Sequence, residues 1–147
     1  MASNLRDVRQ IANYQFGEGV GKVLFPDGVE FTYTKSDRVR QIYLDGSHVA
    51  TLKTSGRFSL GRRGASLLHE NVDPPSLRVR FGEESEPFLR DGRNGFAKFV
   101  QEVDPEVRCR DEVVITGPGD ELLGAGRAEL SAREMKEFGR GVAVKQR

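Results

Sequence analysis

Two consecutive prolines, Pro74 and Pro75, held between Asp73 and Ser76, constrain this chain more than any other feature. Each proline ring fixes its own φ and removes a backbone donor, and the residue before each is pushed out of helical conformation. Neither a helix nor a central strand can run through the segment, so it reads as a stiff connector. The 147 residues fall on either side of it as near-equal halves. Each half must close around a small core of its own, at a size where one core is only marginally sufficient. The expected organisation is a first domain over residues 1–73 and a second over 74–147.

Before the connector, apolar Leu5, Val8, Ile11, Ala12 and Phe16 recur at helical spacing, which predicts a helix from Asn4 to Phe16 with Ser3 or Asn4 as N-cap. Gly17, Gly19 and Gly21 follow, then a short apolar turn at Val23-Leu24-Phe25. This Gly-x-Gly run follows a helix rather than a strand and lacks a βαβ frame, so it reads as helix termination and not as a nucleotide loop. From Val29 the period changes to two. Strands are expected at 29–34, 40–44, 48–52 and 57–60, with Asp45-Gly46 a strong hairpin turn between the second and third. Gly64 to Glu70 closes the half as a helix. Arg62-Arg63 is either a cationic track or a surface helix start.

After the connector, Leu77, Val79 and Phe81 alternate with Arg78 and Arg80, which places the arginines on an exposed face. Glu86-Pro87 opens a short helix, with proline tolerated in its first turn. The loop Gly92-Arg93-Asn94-Gly95 leads into an expected strand from Phe96 to Val103, with Phe96 read as core. Asp104-Pro105-Glu106 is a turn, Val113-Val114-Ile115 a buried strand, and Gly117-Pro118-Gly119-Asp120 a hairpin turn into Leu122–Gly126. Ser131 and Glu134 have capping-box spacing, which predicts a helix with Met135 and Phe138 facing inward. Gly139 and Gly141 stop it before a last strand, Val142–Lys145. The fold class is α+β throughout.

Several function classes are excluded by what the chain does not contain. Hydrophobic residues make up 37% and charged residues 31%, the balance of a folded globular chain. No apolar run approaches the roughly 20 residues needed to span a bilayer, and MASNLRDVRQ lacks the apolar core of a signal peptide. A single cysteine, Cys109, excludes an internal disulfide and any multi-cysteine zinc site, and a reducing cytoplasmic setting is expected. Cys109 stands between two arginines with no base nearby in sequence, and reads as structural. His48 and His69 are isolated, and Asp104 and Asp111 have turn roles. No catalytic residues, metal ligands or cofactor are expected. The net charge of +1 arises from ten basic and eight acidic residues before Pro74, and thirteen and fourteen from it onward. Any polyanion site must therefore be a local patch.

The second half carries an ordered series: G-R-N-G-F-A-K from Gly92, D-P-E from Asp104, R-D-E-V-V from Arg110, L-L-G-A-G-R-A from Leu122, S-A-R-E-M from Ser131 and G-V-A-V-K from Gly141. Over Leu77–Arg147 this order resembles a PUA domain, and is similar to the PUA domain ending archaeosine tRNA-guanine transglycosylases and related small archaeal proteins. The helix and four strands before it are similar to the module that precedes PUA in those proteins. One position departs: where Gly95 stands, the family more often has an aliphatic side chain.

The resemblance implies a compact β pseudo-barrel with short helices, preceded by an α+β module with an antiparallel sheet. It also implies a non-catalytic protein that binds structured RNA, with tRNA favoured over rRNA, in connection with RNA modification and possible attachment to a modifying enzyme, and with neither DNA nor membrane as a partner. Carried onto this chain, the RNA-binding positions are Arg90, Gly92, Arg93, Asn94, Gly95, Phe96, Lys98 and Lys145. The alternative is an adaptor that docks onto an RNA-modifying or ribosome-assembly enzyme through protein contacts.

Overall fold

The computed structural model describes residues 2–147 and separates them into two compact units, the first ending at Val72 and the second spanning Asp73–Arg147. In the first unit, helix α1 (Ala2–Phe16) buries Val8, Ala12 and Phe16 as its spacing predicts. It begins earlier than Asn4, so Asn4 is not a cap; its Nδ2 donates instead to Tyr33 Oη at 2.9 Å, and the Ser3 side chain lies outside the described residues. Gly17 and Gly19 take φ of 122° and 86°, values closed to ordinary side chains, and end α1 before a five-residue helix α2 (Val20–Leu24).

Strands β1 (Glu30–Tyr33), β2 (Val39–Leu44), β3 (Ser47–Leu52) and β4 (Phe58–Leu60) pair antiparallel in sequence order. Asp45 and Gly46 both have positive φ, 51° and 79°, the conformation that an Asp-Gly two-residue hairpin turn requires. Helix α3 (Arg62–Asn71) buries Gly64, Ala65 and Leu68, and places Arg62 and Arg63 in its first turn, which has no side-chain cap. The core gathers Phe25 and Phe58, ring centroids 5.0 Å apart and both inaccessible to solvent, with Ile42 and Val49.

The second unit contains β5 (Arg78–Phe81), α4 (Glu86–Arg90), β6 (Gly95–Phe96), β7 (Val100–Val103), β8 (Glu112–Thr116), β9 (Leu122–Ala128), α5 (Ala132–Phe138) and β10 (Val142–Gln146). The six strands pair in the order β6-β10-β9-β8-β5-β7, with β5 and β8 parallel and the other neighbours antiparallel. The expected strand Phe96–Val103 is thus two strands, divided by a 3₁₀ turn at Ala97–Phe99. The division has a physical reason: the segment pairs with β10 at its start and with β5 at its end, so one stretch of chain supplies both outer strands of the sheet. That connection closes the sheet into a pseudo-barrel around Val79, Phe81, Val113, Ile115 and Val144.

Three burial expectations are corrected. Arg78 is 3% exposed, because the hairpin turn carrying Asp120 covers its face of β5; its Nε donates to Asp120 at 2.8 Å and its Nη1 to the Ser76 carbonyl at 3.1 Å. Arg80 is only half-exposed, with Nη1 3.9 Å from Glu102. Phe138 is 54% exposed, since α5 buries Ala132 and Met135 and ends at Phe138 before another turn reaches the core. The capping box is as expected: Ser131 Oγ accepts from Glu134 N at 3.2 Å, and Ser131 N donates to Glu134 Oε1 at 2.9 Å. Among the described residues no helix is long and apolar enough to cross a membrane.

Candidate nucleic-acid interface

Helix α4 delivers the predicted loop. Pro87 sits in its first turn, Leu89 is buried as an anchor, and Phe88 turns outward at 54% exposure. Its C-terminus is a Schellman motif: Arg93 N donates to Phe88 O and Gly92 N to Leu89 O, both at 3.0 Å, with Gly92 at φ 84°. Glycine at position 92 is required by that left-handed turn, which fixes the direction in which Arg93 and Asn94 leave the helix.

Gly95 has a different reason. It is buried in β6, and a Cβ there would overlap the Phe81 ring, coming within 2.7 Å of its Cε2. Phe81 is fully buried, so its ring fills the space that an aliphatic side chain at position 95 would occupy. In this chain the Phe81 ring therefore requires glycine at position 95.

The loop and β6 form one wall of a cleft of about 420 Å³, with Phe88 and Leu89 from α4 and Lys98 and Phe99 from the 3₁₀ turn on the other sides. Two phenyl rings face solvent here. Phe96 is 46% exposed, which corrects its expected core role: Gly95 takes the inward position of this two-residue strand and turns Phe96 out. The Arg93 guanidinium carbon lies 5.8 Å from the Phe88 ring centre, and Lys98 Nζ lies 4.9 Å from that of Phe99. Both distances suit cation–π attraction.

Charge in the cleft is smaller than the residue list suggests. Arg90 pairs with Glu86 at 2.8 Å, one helical turn back, and Arg93 Nε lies 3.4 Å from Asp91. Lys98 has no carboxylate within ion-pair distance among the described residues. Of the eight positions expected to touch RNA, Arg93, Asn94, Phe96 and Lys98 line the cleft. Gly92 and Gly95 shape it from behind, and Arg90 is tied to Glu86 on the helix. Lys145 is not brought to it. It is exposed on β10 opposite Arg127, and adjacent strand residues face opposite ways, so the side chain that reaches the loop belongs to Gln146.

Gln146 and Phe88 are the residues that sequence reasoning missed. Gln146 Nε2 donates to Arg93 O at 2.7 Å and to Leu89 O at 3.0 Å, while its backbone N donates to Asn94 Oδ1 at 3.0 Å. Asn94 and Gln146 thus form a reciprocal clamp that holds the loop against the last strand. A signal was available in Gly124, where a Cβ would collide with the Gln146 amide. Phe88 was legible only as the neighbour of a buried leucine, about 100° around the same helix.

The other residue types that could carry chemistry have structural partners. His48 Nε2 lies 2.7 Å from Gln41 Oε1 and 3.1 Å from Thr51 Oγ1, a side-chain network within the first sheet. Exposed Cys109 places Sγ 3.3 Å from the Glu129 carbonyl. Asp104 accepts from Leu77 N at 2.8 Å and Glu106 N at 2.9 Å, the turn role expected of it. No group of three or more metal-ligating side chains occurs among the described residues.

Comparison with known proteins covers both units. Residues 6–75 match the patch-forming domain C2 of tRNA-guanine transglycosylase, and residues 78–147 match the PUA domain. The tRNA-guanine(15) transglycosylase of Methanothermobacter thermautotrophicus is 43% identical over 98% of this chain, and that of Pyrococcus furiosus 45% identical over 95%. The chain spans only 22% and 24% of the length of those two proteins. Among solved structures, a hypothetical protein of Pyrococcus horikoshii superposes with a TM-score of 0.77 at 19% identity, over 100% of this chain and 90% of that one. A conserved PUA domain protein of Thermoplasma acidophilum gives 0.67 at 20% identity, over 99% and 87%. At such identities these two structures speak to the fold. The chain thus matches the PUA domain family over residues 78–147 and the patch-forming C2 domain family of tRNA-guanine transglycosylases over residues 6–75.

Proposed function

We propose that this chain is a non-catalytic RNA-binding module that recognises tRNA, or another structured RNA, in connection with RNA modification. The observation that carries the reading is the cleft in the second unit: exposed Phe88 and Phe96 beside Arg93 and Lys98, on a loop clamped at both ends. Such a surface suits an unstacked or terminal nucleotide. Every base has a π-face that can stack on an exposed ring, at about 1–3 kcal/mol per base, and single-stranded RNA ends are read largely in this way.

The cations have a secondary role. With Arg93 shared with Asp91 and only Lys98 unpaired, one or two phosphates are engaged, and affinity at this cleft varies with salt by a slope of about −1 to −2. The Asn94 side-chain nitrogen supplies a directional donor at the same rim. Relatives named for tRNA-guanine transglycosylation support tRNA as the RNA and a modifying enzyme as the partner.

The test is binding of unmodified tRNA transcripts to the purified chain. Wild type retains tRNA at low salt, and Arg93→Glu and Lys98→Glu each weaken retention at least tenfold. Equal retention by wild type and both variants would remove the site assignment.

A further inference from the structure

We propose that the first unit carries an RNA contact of its own, a cleft that takes backbone phosphates between Arg38, Arg40 and Lys53; this rests on the RNA-binding reading above. The topology creates the cleft. Strands β2 and β3 are central and paired through Gln41 and Thr51, so the β1–β2 turn and the β3–β4 turn emerge at the same end of the sheet. Each turn is closed by its own backbone bond, Thr34 N to Arg38 O at 2.8 Å and Lys53 N to Arg57 O at 2.9 Å. The Thr34 hydroxyl accepts from Ser36 N and Arg38 N, both at 3.2 Å, which stiffens the first turn. Between the turns lies a cleft of about 310 Å³, with Ile11 and Leu52 at its floor and the hydroxyls of Ser36 and Thr54 on its rim.

The charge distribution marks this cleft out. Several arginines elsewhere are held by carboxylates: Arg9 by Asp27 at 3.1 Å, Arg78 by Asp120 at 2.8 Å, Arg90 by Glu86 at 2.8 Å, Arg133 by Glu137 at 3.0 Å. No carboxylate lines the cleft between the two turns, and Arg38, Arg40 and Lys53 have none within ion-pair distance among the described residues. Asp37, next to Arg38 in the turn, is not part of the lining. Within a chain of net charge +1, Arg38, Arg40 and Lys53 place three cations around one cleft that holds no carboxylate. Cations with hydroxyl donors and no carboxylate at the rim match the oxygens of a phosphodiester, and a run of phosphates is what an RNA strand offers.

The experiment compares the full chain with Arg38→Gln/Arg40→Gln/Lys53→Gln and with Arg93→Gln/Lys98→Gln, titrating an unmodified tRNA transcript at salt from 50 to 200 mM. Losing three phosphate contacts reduces the salt slope by about 2–3, so wild-type affinity falls about 15- to 60-fold more than the triple variant's across that range. A triple variant with the wild-type slope overturns the inference, and if Arg93→Gln/Lys98→Gln is weakened in the same series, the function proposed above survives that failure. A triple variant with a reduced slope beside an unaffected Arg93→Gln/Lys98→Gln keeps this cleft and removes the other. Amide chemical shifts of the wild-type chain give a readout that needs no variant. The amides of Ser36, Arg38, Lys53 and Thr54 move when RNA is added; movement with inorganic phosphate or polyglutamate but not with RNA overturns the proposal.

Discussion

Replacing Gln146 by alanine tests how the Gly92–Gly95 loop is held. The side-chain amide donates to Arg93 O at 2.7 Å and Leu89 O at 3.0 Å, and alanine removes both bonds while leaving the backbone bond from residue 146 to Asn94 Oδ1 in place. A net hydrogen bond contributes about 0.5–1.5 kcal/mol, and the exposed carbonyl of Arg93 recovers part of its loss by binding water. The expected cost to loop closure is therefore about 1–2 kcal/mol. The loop amides report it directly. Gly92 N and Arg93 N are bonded to Leu89 O and Phe88 O, and their hydrogen exchange should quicken about 5- to 30-fold. Amides of the buried strand β8 should keep their protection, because the deleted amide bonds only to the carbonyls of Leu89 and Arg93. Since Phe88, Arg93 and Asn94 stand on the loosened segment, tRNA affinity should fall several-fold in the same variant. Unchanged exchange at Gly92 and Arg93 would refute the clamp.

Two further outcomes follow from the second unit. Gly95→Ala drives a methyl group into the Phe81 ring and should cost about 2 kcal/mol, Phe81→Leu alone about 1–2 kcal/mol, and the double variant at least 1 kcal/mol less than their sum in urea unfolding; strict additivity would contradict the packing. Arg147 pairs through two contacts with Glu112, which is 3% exposed; the hydrogen bond, helped by the carboxylate charge, outweighs the opposing effect of burial and holds the guanidinium pKa above its ordinary value. A raised pKa stabilises the folded form below it, so this contribution is constant through neutral pH and lost only in strong alkali. With the arginine side chain 38% exposed, Arg147→Gln should lower unfolding free energy by about 1–2 kcal/mol at pH 7, a loss measurable by urea titration.

Much of the fold was legible because local chemistry and tertiary structure agree. The two-residue turn at Asp45-Gly46, the alternation of β2 and β3, and the capping box at Ser131–Glu134 each specify a conformation from neighbouring residues alone. Failures came where a distant partner decides. Phe96–Val103 has the composition of one strand, yet it pairs with β10 at one end and β5 at the other, a demand set by barrel closure. Alternation put Arg78 on an outer face, but the hairpin carrying Asp120 covers that face. Phe96 reads as core by its hydrophobicity, and is outward because Phe81 claims the space beneath Gly95. In the cleft, cations and glycines were visible as residue types. The aromatic character of the surface and the Gln146 clamp were not, because both depend on which of two adjacent residues turns inward.

On the proposed reading, bases stack on Phe88 and Phe96, and ultraviolet crosslinking of an unmodified tRNA transcript to the purified chain, with the linked residues mapped by mass spectrometry, tests that stacking at the residues themselves. Crosslinks are predicted at Phe96 and Phe88, near the RNA's unpaired terminus, and Phe96→Ala should weaken binding by the about 1–3 kcal/mol of one stacked base. Full-strength tRNA binding by Phe96→Ala, with every crosslink outside Ser85–Phe99, would contradict the account.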